Sequence, residues 1–142
     1  MTNRDRMRVI FHGAIVLLAG LLCGYPAVAE AAAQDESMRL WHTAHEGLIM
    51  TSILLFAIAS TLPSLALERR EASGLFWSLL ATGYGLTIGL VMQGIIGARA
   101  FGPSASPPAM IAFVGNAVGI FGSMVAAALT LMGAWAALRD RR

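Results

Sequence analysis

Four apolar runs dominate the chain, at about 9–28, 41–67, 74–98 and 109–138. Each reaches the ~20 residues that an α-helix needs to cross the hydrocarbon core of a bilayer. Backbone N–H and C=O groups find no water in lipid, so a spanning segment must bond them within itself, as a helix does. The polar pieces between the runs are short. "EAAAQDESMR" (30–39) and "ERREAS" (68–73) are loops, and "RAFGPSASPP" (99–108) is a Pro/Gly/Ser stretch that cannot continue a helix. Composition agrees with a lipid-soluble chain. Charged residues make up 13%, about half the share of an ordinary soluble domain. The expected fold is all-α: an integral membrane four-transmembrane-helix bundle forming one domain over 1–142.

The arginines orient it. All ten basic residues are Arg, and Arg4, Arg6, Arg8, Arg69, Arg70, Arg139, Arg141 and Arg142 fall on one side of the spans, against Arg39 and Arg99 on the other. Cationic loops stay in the cytoplasm, so both termini are expected there, in a bacterial-type inner (plasma) membrane. A rival reading exists for the first run. Arg4 to Arg8, then "AIVLLAGLLCG", then "AVA" before Glu30 has the form of a secretory leader. Its removal would leave three helices. Pro63, late in the second run, can kink that helix. The glycines of the third and fourth runs permit close helix contact.

Several function classes are excluded. One cysteine, Cys23, cannot make an intrachain disulfide framework or a cysteine metal cluster. No basic stripe is interleaved with aromatics for nucleic acid, and no Walker, dinucleotide or kinase motif is present.

The informative residues are polar groups inside the runs, where a central charge costs about 2.5–3.5 kcal/mol on insertion scales. They are His12, His45, Glu46, Thr51, Thr87, Gln93 and Asn116. At ~1.5 Å rise per residue, His45, Gln93 and Asn116 lie roughly 6, 7 and 10 Å below one face of the membrane. A shared polar pocket at that level is the economical explanation, with interhelical hydrogen bonding as its alternative. His12 enters near the opposite face, about 20 Å from His45 along the normal. The two cannot both ligate one haem within a subunit. If His45 held an iron alone, a coordination position would stay open for Lewis-acid chemistry. His42, His45 and Glu46 share a helix face by their spacing. A protein-only metal site normally needs three or four convergent ligands, and no second cluster completes this one. Glu46 can pair with Arg39 or Arg99.

The second run opens with "WHTAHEG" (41–47), and Trp41, Ala44, His45 and Gly47 match the pattern W-x-x-A-H-x-G of the styrene oxide isomerase family. "FHG" (11–13) in the first run and "LPSL" (62–65) resemble the family as well. The resemblance implies a trimer of four-helix subunits with haem b at the subunit interfaces and His45 as axial ligand. Ferric iron would act on the oxygen of a small, apolar aromatic epoxide, and a 1,2-hydride shift would yield the aldehyde. Two departures stand out. Thr51 occupies the place of the family's asparagine, and its helix-three tyrosine has no clear counterpart, because Tyr84 lies nearer mid-span and Met92 and Gln93 stand at the expected level. Thr51, Gln93 and Asn116 are therefore the candidate catalytic groups. The alternatives are a hydroxylaminobenzene mutase-type rearrangement and a non-catalytic haem-binding or transport protein.

Overall fold

The computed structural model describes residues 3–29 and 36–139. Glu30, Asp35, Arg141 and Arg142 lie outside the described residues. Four helices make up the fold: α1 (Asn3–Ala29), α2 (Glu36–Thr61), α3 (Arg69–Ile96) and α4 (Pro107–Arg139). All four are long and apolar enough to cross a membrane.

Local chemistry sets their ends. α2 stops six residues short of the apolar run, because Pro63 ends it rather than kinking it. A proline has no N–H to donate and its ring clashes with the preceding turn. The chain passes into a 3₁₀ turn at Leu62–Ser64, and Leu65 is extended. α3 starts where the Glu68 N–H donates to Glu71 Oε2 at 2.9 Å, one half of a capping box. It ends at Gly97, which adopts φ 62°, a left-handed cap that suits glycine. α4 starts with Pro107, whose fixed φ suits the first helical turn.

The helices pack most extensively as two pairs, α1 with α2 and α3 with α4. Contacts of α2 and α1 with α3 join the pairs, and α4 scarcely meets α1 or α2. One core layer, built on Val9, Leu55, Leu75, Leu79 and Ala126, draws on all four helices. A second, built on Val16, Cys23, Ala44 and Leu48, lies nearer the other end. Large apolar side chains such as Leu22, Phe121, Leu131 and Trp135 point outward, as expected where the solvent is lipid. The Ala66 N–H donates to Gly133 O at 3.1 Å. This ties the α2–α3 connection to the end of α4. The arginine-rich ends of α1, α3 and α4 thus share one end of the bundle.

α3 and α4 touch through glycine. A Cβ added at Gly85 would lie 2.5 Å from the Gly119 nitrogen, and one at Gly115 would lie 2.7 Å from the Gly89 nitrogen. Gly122 meets Ser78 O and the Thr82 nitrogen in the same way, each at 2.9 Å. Gly85→Val therefore forces two backbones apart, with an expected loss of about 1–3 kcal/mol. Gly102→Ala, whose Cβ would meet nothing within 4 Å, should leave stability unchanged. Unfolding of the two variants in mild detergent, followed by circular dichroism, checks both outcomes.

Candidate functional site

His45 is placed by contacts on both sides of α2. One turn before it, the Trp41 ring seats on Gly94 of α3, where a Cβ would come within 2.8 Å of the ring. Two residues after it, Gly47 faces Leu90. α2 and α3 are thus in register around His45, and the imidazole itself turns to α1. Its Nδ1 lies 2.8 Å from the Gly20 carbonyl oxygen. A carbonyl only accepts, so Nδ1 carries the proton and donates it. In the neutral ring Nε2 then keeps its lone pair.

Two glycines of α1 make room for this bond. A Cβ at Gly24 would stand 2.9 Å from His45 Nδ1, and one at Gly20 would stand 3.0 Å from Leu48 Cβ. Gly20 and Gly24, one turn apart, form a notch into which α2 lays Leu48 and His45. This is the arrangement that fixes a metal-ligating histidine: one ring nitrogen bonded to a backbone carbonyl, the other left as a ligand. The donor set therefore suits a haem iron bound at Nε2. Among the described residues no three His, Cys, Asp or Glu converge as a metal site of their own.

The other candidates divide. Gln93 and Asn116 are 2% and 4% exposed, and the amide nitrogens Gln93 Nε2 and Asn116 Nδ2 are buried with no hydrogen-bond acceptor. Asn116 fills the space left by Gly89, one turn from Gln93 on α3. The structure thus brings these two amides to the α3–α4 seam, within about two turns of the His45 level. Thr51 is buried, and its hydroxyl donates at 2.7 Å to the Gly47 carbonyl of its own helix. Its oxygen can still accept. Thr87 bonds Gly83 O in the same way. His42 and Glu46 are exposed on the outer face of α2. Arg99 pairs with Glu36 at 3.6 Å, and not with Glu46, because both partners sit at helix ends outside the apolar core.

His12 has a partner that spacing did not reveal. Its Nδ1 lies 2.8 Å from the Tyr84 hydroxyl, and its ring meets Phe76 edge-on. Tyr84 thus belongs to a cluster of α1 and α3 near mid-span. Gly20 is eight residues along α1 from His12, about 12 Å by the helical rise; this is nearer than the depth expected from the sequence, because His45 reaches down to Gly20, and His12 and His45 still occupy separate sites.

The family described as styrene oxide isomerase matches residues 5–135, nearly the whole chain. This chain belongs to the styrene oxide isomerase family. Membership supports an isomerase function and, with four spanning-capable helices, a multi-pass membrane protein. The match includes α1, the helix that supplies the acceptor for His45. Searches of curated proteins and of solved structures return no match.

The tautomer of His45 is open to measurement. In ¹⁵N spectra of the histidine-labelled protein, its Nδ1 should show the shift of a protonated nitrogen and Nε2 that of an unprotonated one. Gly24→Val, which fills the notch, should abolish this uniform preference.

Proposed function

We propose that this chain isomerises a small, apolar aromatic epoxide to the corresponding aldehyde, using haem b held by His45. The observation that supports the reading is the Nδ1–Gly20 hydrogen bond, which leaves Nε2 available as a ligand in a chain of this family. Ferric haem, when bound, supplies a Lewis acid for the epoxide oxygen. The reaction needs no net electron, water or second substrate. The C–O bond to the benzylic carbon breaks, a hydride moves from the neighbouring carbon to the benzylic one, and the oxygen remains as the carbonyl.

The chain's own residues have four tasks in this reading. The Gly20 carbonyl holds the imidazole in one tautomer and orientation. Gln93 and Asn116 offer N–H donors to the oxygen on which charge gathers, an electrostatic contribution that such donors make in a dry site. Thr51 offers an acceptor oxygen at the place of the family's asparagine. The apolar layer of Val16, Leu48 and Leu90 keeps water from the benzylic cation. The substrate, being apolar, reaches this level through the bilayer. We place the arginine-rich end in the cytoplasm of a bacterial-type inner membrane, and read the working form as a homotrimer with haem between subunits.

Purified wild-type protein should show a Soret band and convert styrene oxide to phenylacetaldehyde. His45→Ala should lose the band and the activity together. A colourless, inactive preparation after haem supplementation overturns the proposal. Substrate carrying two deuteriums on the terminal carbon should keep both in the product, one at the benzylic carbon, with none acquired from D₂O. Conversion of phenylhydroxylamine in place of the epoxide would favour the mutase-type rearrangement.

A separate prediction concerns the buried amides. Asn116→Leu, similar in volume, should lower kcat on the order of a hundredfold while the haem content stays at the wild-type level. Steady-state kinetics on preparations matched by Soret absorbance checks it.

A further inference from the structure

The structure holds a concavity, remote from His45, at the arginine-rich end. It has a volume of about 780 Å³ and is lined by Arg4, Arg8, Arg69, Ser73, Phe76 and Trp77, with Asp5, Leu67 and Ala72 completing it. Three segments build it: the first turns of α1, the connection that follows the 3₁₀ turn, and the first turns of α3. Spacing explains the shared face. Arg4 and Arg8 are one turn apart on α1, and Arg69, Ser73 and Trp77 are one turn apart on α3.

Its charge is unbalanced. Among the described residues, three arginines and one aspartate line the cavity. Asp5 stands 3.9 Å from Arg8, at the outer limit of an ion pair. Among the described residues Arg4 and Arg69 form no ion pair. Glu68 and Glu71 cap α3 and do not line the cavity. Nearby, among the described residues, Arg6 buries its Nε without an acceptor. The α1 and α3 N-termini add positive helix-end potential.

The cavity is also graded. Its arginines and Ser73 belong to the first turn or two of their helices, and Phe76 and Trp77 follow deeper in α3. Trp77 is 65% exposed, on a helix face turned to lipid. A basic rim above an aromatic floor matches a phosphate attached to acyl chains better than a free anion, since aromatic rings settle at the headgroup boundary.

We propose that this cavity binds the phosphate of an anionic phospholipid headgroup, with Arg4, Arg8 and Arg69 as its donors and Trp77 against the glycerol and upper acyl region. The site is independent of the chemistry at His45, and its test does not require activity.

The test uses the full chain in mild detergent, titrated with dioleoyl phosphatidylglycerol or dioleoyl phosphatidylcholine and read by native mass spectrometry. Wild type should retain phosphatidylglycerol in preference to phosphatidylcholine. Arg8→Gln with Arg69→Gln should weaken retention of the anionic lipid on the order of twentyfold. Arg39→Gln with Arg99→Gln, at the opposite end, should leave it unchanged. Ser73→Glu puts a negative charge on an exposed wall of the cavity without removing an arginine, and should also weaken retention. It serves where the double variant does not fold. Equal retention of the two lipids, or anionic retention untouched by Ser73→Glu, overturns the proposal. Displacement of the lipid by an equal concentration of inorganic phosphate overturns its lipid part and leaves a simple anion site.

Discussion

Helices in a bilayer gain little by hiding apolar side chains from one another, because lipid tails are as apolar as leucine. What remains is van der Waals contact at short range, and this chain obtains it by bringing backbones together. The seam of Gly85 and Gly89 against Gly115 and Gly119 is the clearest case. The notch of Gly20 and Gly24 is the same device used for another end, since it admits an imidazole as well as a leucine. Stability and site geometry therefore rest on one kind of contact. Any Cβ at these positions would separate helices and misplace side chains at once.

The polar groups divide along the same lines. Hydroxyls at Thr51, Thr82 and Thr87 return to carbonyls one turn back in their own helix, the commonplace solution for a hydroxyl in lipid. Gln93 and Asn116 do not, and their amide nitrogens stay buried and unbonded. Unpaired donors of this kind are expensive, which is why the proposed reaction assigns them a task.

Much of this was legible in the sequence. Spans of about 20 apolar residues and the breaks between them locate the four helices, because lipid tolerates few alternatives. The motif around Trp41 and His45 led to the family that the match over residues 5–135 shows. What stayed hidden was rotational. Spacing says how deep a residue lies but not which neighbour it faces. Tyr84 looked like a displaced residue of α3 and is the partner of His12. Nothing in the spacing of the first run marks Gly20 and Gly24 as the seat of His45. The end of α2 was overestimated because the apolar run continues through Leu65 and Leu67, whereas helical geometry fails at Pro63.

The bond between His45 and α1 also makes the site depend on neighbours in sequence. The carbonyl that holds the imidazole is on α1, and the imidazole is on α2, the next helix along the chain. The hydrogen bond that fixes the tautomer needs only these two helices, and the contacts of Trp41 and Gly47 with α3 complete the placement. A chain deprived of α1 would lose the acceptor that sets the orientation of this imidazole.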